Sequence, residues 1–204
     1  MLKLYIVRHG KTLFNQKHLI QGWCDAPLTS EGLKQAQALN KGLANIHFDA
    51  CYSSTSERAM TTAKEIIKGR NIPFHTTENL KEFNFGSLEG DSEEKLVQVY
   101  PVLFGQEVED FDGDTLEQLT NRLLTALEDI YHHYPDGNVL VVTHGGAITA
   151  LLKKISILEA EDLISVEKQS ADVDNCSVTI LERNFGWKIL ETNNTQYLKD
   201  GLQQ

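Results

Sequence analysis

Apolar and polar positions along the chain follow two rhythms. Short apolar runs, too brief for helices, stand at 2–8 (LKLYIVR), 49–54 (DACYSS) and 138–143 (NVLVVT), and each predicts a strand buried on both faces. Between them apolar residues return every three or four positions. Leu33, Ala36, Leu39 and Leu43 keep that spacing and predict a helix over about 30–44, with Thr29 or Ser30 as its N-cap. TSERAMTTAKEII predicts a second helix at 55–67, with Ala59, Ala63, Ile66 and Ile67 inward. The most regular stripe is Leu116, Leu119, Leu123, Leu127 and Ile130, a helix over about 116–132 opened by the capping-box pair Thr115 and Gln118. Asp91 and Glu94 have the same spacing and predict a helix at 91–100, and another is expected at 146–154. A short strand fits 73–76. Two late strands, 176–183 and 187–192, flank the turn Asn184-Phe185-Gly186 and read as a hairpin or as sheet neighbours.

Strands alternating with helices predict an α/β fold: a mainly parallel sheet covered on both faces. Such sheets bind ligands beyond the carboxyl ends of their strands. Two strands end there in costly side chains. The first runs into Arg8-His9-Gly10, and 138–143 runs into His144-Gly145-Gly146. If these strands are neighbours, both histidines reach one crevice.

The 204 residues suffice for one domain with its own core, and no repeat or Pro- or Gly-rich linker divides residues 1–204. The net charge of −10, with no run of Lys or Arg, argues against a nucleic-acid partner held by a broad basic face. No apolar stretch approaches the roughly 18 residues of a membrane span. The N-terminal apolar run leads straight into Arg8-His9 and does not read as a signal peptide. Cys24, Cys51 and Cys176 are far apart and form no CxxC pair, which argues against zinc or redox chemistry and fits a reduced, cytoplasmic protein. No metal site and no cofactor are expected.

Against this acidic background Arg8, Arg58, His9 and His144 form a local cationic cluster. Gly10, Gly145 and Gly146 let backbone approach a ligand closely. Arg58 falls in the first turn of its helix, where a cation is unfavourable unless it faces an anion or pairs with Glu57. The cluster points to a small, strongly anionic ligand, and a phosphoryl group fits best. Arginine forks suit its oxygens, and a neutral imidazole is a competent nucleophile near pH 7. A carboxyl acid is then needed for the leaving group. LKEFNFGSLEG offers Glu82 and Glu89, of which a partly desolvated one would hold its proton.

These residues resemble the histidine phosphatase superfamily, also called the phosphoglycerate mutase-like family. LYIVRHGKTLFNQ is similar to its RHG signature. QGWCDAPLTSEGLKQA, YSSTSERAMTTA, LKEFNFGSLEG and VVTHGG resemble its further motifs, in order and across nearly the whole chain. The resemblance implies a three-layer α/β/α sandwich and assigns roles. His9 would be the nucleophile that becomes phosphohistidine. Arg8, Arg58 and His144 would hold the phosphoryl oxygens. Asn15, Gln21, Gly22 and Gly145 would line the phosphate or substrate side, and Glu82 would be the proton donor. No metal is implied. The sequence departs from the pattern at Lys11, where the family usually has Glu, at Leu19-Ile20, where a basic residue is common, and at Gly113-Asp114-Thr115. KEFNFGSLEG and the acidic stretch Gln106 to Asp114 resemble the phosphatase branch more than the mutases, which carry extra basic residues for a bisphosphate. The expected activity is hydrolysis of a small phosphorylated metabolite by a monomer or homodimer. A cofactor-dependent phosphoglycerate mutase and a catalytically idle regulator that binds phosphorylated ligands are the alternatives.

Overall fold

The computed structural model describes residues 1–99, 112–159 and 173–203. Among them six strands form one sheet: β1 (Leu2–Arg8), β2 (Ala50–Ser54), β3 (Phe74–Thr77), β4 (Gly137–Thr143), β5 (Val178–Arg183) and β6 (Trp187–Asn194). Their order is β3-β2-β4-β1-β5-β6. The first four are mutually parallel, and β5 and β6 run antiparallel at one edge. The late strands are thus a hairpin, closed where Asn184 N–H donates to Gly186 O.

Side chains on a strand alternate between faces, and this sheet fills both. Leu2, Leu4 and Ile6 of β1 join Val139 and Val141 of β4 on one face. There they pack on α4 (Leu116–His133) and α5 (Gly145–Glu159), through Leu119, Leu123, Leu127, Ile130 and Leu151. Val7, Leu140 and Val142 point to the other face and meet Ala36 and Leu39 of α2 (Ser30–Gly42) and Ala59, Ala63 and Ile66 of α3 (Glu57–Ile66). A short C-terminal helix, α6 (Gln196–Leu202), packs on α2 so closely that a Cβ at Gly201 would lie 1.7 Å from Ala38 O. The three-layer α/β/α sandwich follows.

Helix starts were readable where a side chain caps them. Thr29 Oγ1 accepts from Gly32 N, and Thr115 and Gln118 make the reciprocal box expected at α4. The 91–100 helix is replaced by a 3₁₀ turn over Glu93–Gln98, started by Ser92 rather than Asp91. No residue of that turn is buried, so no apolar stripe draws it into an α-helix. Its start is instead tied to the chain's first loop: Leu19 bridges Ser92, and Glu93 N–H donates to His18 O. The last part of that prediction, Tyr100, lies outside the described residues, as does the acidic stretch up to Phe111. One helix had no readable period. α1 (Leu13–Lys17) is a five-residue helix held by a Thr12–Asn15 capping box. The late strand starts at Val178 rather than at 176, because Cys176 adopts a left-handed backbone (φ 57°) that a strand excludes.

Candidate active site

Parallel pairing sets the site. Arg8 is level with Thr143 in the β1–β4 ladder, and His9 N–H donates to Thr143 O at 3.0 Å. His9 and His144 therefore leave the sheet side by side, with ring centroids 5.2 Å apart and planes 63° apart. His9 is 3% exposed and His144 0%. His9 Nδ1 lies 2.9 Å from Gly10 O. A carbonyl only accepts, so the proton sits on Nδ1 and Nε2 carries the lone pair. Burial, and then the charges of Arg58 and Arg8, hold His9 well below the usual imidazole range. His144 is lowered in the same way, by burial first and then by Arg58 and His9. Its Nε2 meets Ser54 Oγ at 2.9 Å, and its Nδ1 has no hydrogen-bond partner.

Arg58 is a fully buried cation at the N-terminus of a helix. Its carboxylate partner is Asp25, from the loop after Gln21, rather than the neighbouring Glu57. Asp25 Oδ1 accepts from Arg58 Nη1 at 2.9 Å, and its other oxygen accepts from Glu57 N–H, so one carboxylate serves both the cation and the helix end. Arg58 Nη1 also donates to Cys24 O and Nη2 to Gly22 O. Three of its five N–H donors are then engaged, and Nε has no partner.

Arg8 lies across Gly145: a Cβ there would be 3.2 Å from Arg8 Nε. Arg8 Nη1 donates to Val173 O, while Nε has no partner. Gln21 accepts from Thr12 Oγ1 through Oε1, and its buried Nε2 has none. Asn15, which lines the crevice, accepts through Oδ1 from Thr12 N–H and Asn175 Nδ2. Orphaned buried donors are costly, and here Arg8, Gln21 and Arg58 each present one. Together with the His144 ring nitrogen they make a cradle suited to an oxyanion.

Glu82 is 6% exposed. Its carboxyl accepts from Gly146 N–H at 2.8 Å and Phe83 N–H at 2.9 Å. Burial raises it above the usual carboxylate range, against the opposing pull of those two N–H groups and of Arg58 and Arg8. Its backbone is clamped as well: Arg122 from α4, paired with Asp114, donates to Glu82 O and Lys81 O. Glu89 is placed quite differently. Its carboxylate accepts from four backbone N–H groups, those of Gly22, Trp23, Cys24 and Phe85.

The crevice over this floor is open and has a volume of about 450 Å³. Arg8, His9, Asn15, Gln21, Glu82 and Gly145 line it, while Arg58 and His144 are fully buried and are not part of its wall. Gly22 is brought near but not onto the wall: its N–H is held by Glu89 and its C=O by Arg58. Lys11 points away, paired with Glu31 at 2.8 Å. Leu19 and Ile20 do form wall, beside Phe85, Leu96 and Val173. Several supporting residues escaped the sequence reading: Ser54, Asp25, Arg122 and Asn175, whose Nδ2 donates to His9 O. Asp25 and Ser54 stand inside the QGWCDAPLTSEGLKQA and YSSTSERAMTTA stretches, which were the available signal, whereas Arg122 and Asn175 carry no periodic or local signal because each acts across a long sequence separation. Gly146 could have been found, standing next to Gly145; a Cβ there would lie 2.7 Å from Glu82 Oε1. Among the described residues no group of three His, Cys, Asp or Glu is placed to hold a metal ion, and no helix is long and apolar enough to cross a membrane.

Sheet and crevice together define an α/β enzyme of the phosphatase class. The chain belongs to the histidine phosphatase superfamily (branch 1), whose sequence profile it matches over residues 4–195. It is 32% identical over 199 residues to a Bacillus subtilis protein named as the uncharacterized phosphatase PhoE, covering 97% of each chain. It is 35% identical over 164 residues to the metal-independent phosphoserine phosphatase of Arabidopsis thaliana, covering 76% of this chain and 68% of that one. The crystal structure of a phosphoglycerate mutase from Bacillus anthracis superimposes with a TM-score of 0.84 at 28% identity, covering 98% of this chain and 96% of that one.

Proposed function

We propose that this enzyme hydrolyses small phosphomonoesters through a phosphohistidine on His9. The observation that carries the reading is the Nδ1–Gly10 hydrogen bond, which leaves a buried, neutral imidazole with its Nε2 lone pair available. The ester phosphate sits on the cradle of Arg8, Arg58, His144, Gln21 and Asn15. His9 Nε2 attacks phosphorus, the ester P–O bond breaks, and the leaving oxygen takes the proton of Glu82. A water molecule then attacks the phosphohistidine and gives its proton to the Glu82 carboxylate. Inorganic phosphate leaves, and neutral His9 is restored. Burial supports Glu82 as acid, because it favours the protonated form. Glu89 is unsuited to that role, since four N–H donors surround its carboxylate.

The crevice mouth favours hydrolysis over mutase chemistry. Glu93 and Asp174 line it together with Leu19, Ile20, Phe85, Leu96 and Val173, and among the described lining residues Arg8 is the one basic side chain. A second phosphate or a carboxylate would meet like charge there. The natural leaving group is therefore one with apolar surface, hydroxyls or an amine. Phosphate release from a panel of phosphorylated metabolites tests the reading, with p-nitrophenyl phosphate as the general probe. Turnover is expected to survive excess EDTA, because Arg8 and Arg58 supply the positive charge. Phosphoryl transfer between glycerate positions without phosphate release would replace hydrolysis by the mutase reaction. Binding without any turnover would support the idle regulator.

A further inference from the structure

We infer that Glu89 is a positioning residue that aims Arg58 at the phosphoryl group; this rests on the role proposed for Arg58 above. The chain of contacts is short. The Glu89 carboxylate gathers the N–H groups of Gly22 at 3.0 Å, Trp23 at 2.6 Å and Cys24 at 3.2 Å. Three consecutive amides turned toward one carboxylate force the carbonyls of that loop outward. Two of those carbonyls, Gly22 O and Cys24 O, are the acceptors of Arg58 Nη2 and Nη1, and the next residue, Asp25, supplies the third acceptor. With Nη1 doubly engaged and one Nη2 hydrogen held, the donors left to Arg58 are Nε–H and one hydrogen of Nη2. These are the donors with which Arg58 can meet an oxyanion.

The loop tolerates nothing between the carboxylate and itself. A Cβ at Gly22 would lie 2.4 Å from Glu89 Oε1 and 2.2 Å from Phe83 O. The fourth amide held by Glu89, Phe85 N–H at 3.1 Å, belongs to the segment that carries Glu82. Trp23 closes the link from the other side, its indole N–H donating to Glu82 O at 3.0 Å. These contacts anchor the loop that holds Arg58, whereas Glu82 is held separately, its carboxyl by Gly146 and Phe83 N–H and its backbone by Arg122. A glutamine cannot replace Glu89 in this anchor, because its amide nitrogen would face N–H donors instead of accepting from them.

The test combines kinetics with a ligand-free readout. Glu89→Gln is expected to lower kcat/KM about 10- to 100-fold, the scale of a misplaced catalytic group. The loss should be equal for alkyl and p-nitrophenyl phosphates, because Glu89 does not protonate the leaving group. In an Arg58→Met background the same change should cost less than about twofold, since its route of action is gone. In the free enzyme, the Arg58 Nε–H signal in ¹⁵N spectra should shift and exchange faster in Glu89→Gln. Glu89→Asp keeps the charge and should retain part of both effects, and it takes the place of Gln if that variant fails to fold. An equal kinetic loss with and without Arg58, or an unmoved Arg58 signal, would overturn the inference. Wild-type enzyme that hydrolyses no phosphomonoester, with the Arg58 signal still responding to Glu89, would sink the proposed reaction and leave the coupling standing.

Discussion

The floor and the mouth of the crevice are built by opposite rules. On the floor, His9, His144, Arg58 and Glu82 are almost wholly buried, and each is held by backbone or by a second buried side chain. At the mouth, Glu93 keeps 41% of its side chain exposed and touches the exposed His18, while Asp174 is held by Asn193. Burial therefore shifts the protonation of His9, His144 and Glu82 and fixes the geometry of all four floor groups, whereas charges that meet solvent at the mouth act weakly. The difference separates chemistry from selectivity. A change on the floor should alter the reaction for every substrate, and a change at the mouth only the choice among substrates.

The largest effect expected is on the floor. His9→Ala should lower turnover by about 10⁴-fold or more while the variant stays folded. Steady-state phosphate release and circular dichroism check it, and a variant that keeps wild-type activity would break the contrast at its base. Next comes Glu82→Gln. General acid catalysis is worth about 10²–10⁴-fold, so an alkyl phosphate should lose that much and p-nitrophenyl phosphate distinctly less. The leaving-group dependence distinguishes this variant from Glu89→Gln, whose loss should be uniform.

Protonation sharpens the same contrast. Glu82 is raised in the fold, so the stability of its neutral form is full at low pH and is lost as pH rises through its folded value. The Tm of Glu82→Gln relative to wild type should therefore climb as pH is raised above the usual 4.5 of a carboxyl. His9 and His144 are lowered, so their contribution is full above the usual 6.5 and is lost as pH falls toward their folded values. For activity, neutral His9 and protonated Glu82 set a bell whose acid edge lies below 6.5 and whose alkaline edge lies above 4.5. An alkaline edge that persists unchanged in Glu82→Gln would remove Glu82 from the account.

The smallest effects belong to the mouth. Glu93→Gln and Asp174→Asn should each improve use of carboxylate-bearing phosphates by about two- to fivefold, with p-nitrophenyl phosphate nearly unchanged. The gain should fade at high salt, which ligand competition at two ionic strengths would reveal. A loss of p-nitrophenyl phosphate turnover as large as that of a floor variant would erase the distinction.

The floor was also the legible part of the sequence. A strand that ends in Arg8-His9-Gly10 and another that ends in His144-Gly145-Gly146 announce themselves, because apolar period and costly polar residues collide at one point. The order of β1 and β4 then does the rest. The mouth gave no such signal. Leu19, Glu93 and Asp174 come from an irregular loop, a 3₁₀ turn misread as a helix, and the approach to β5. Arg58 was legible as a candidate but not its partner: Asp25 sits 33 positions away in a loop without period. Glu89 was read as a rival acid because composition shows a carboxyl group but not the four amides around it.

The measurement that tests the central claim most directly is a rapid acid-free quench during turnover of p-nitrophenyl phosphate, followed by peptide mass mapping. Phosphate should be found on His9, in an acid-labile and alkali-stable linkage, and should be absent from the Glu82 and His144 peptides. Turnover with no phosphorylated His9 at any quench time, or phosphate carried by another residue, would contradict the mechanism.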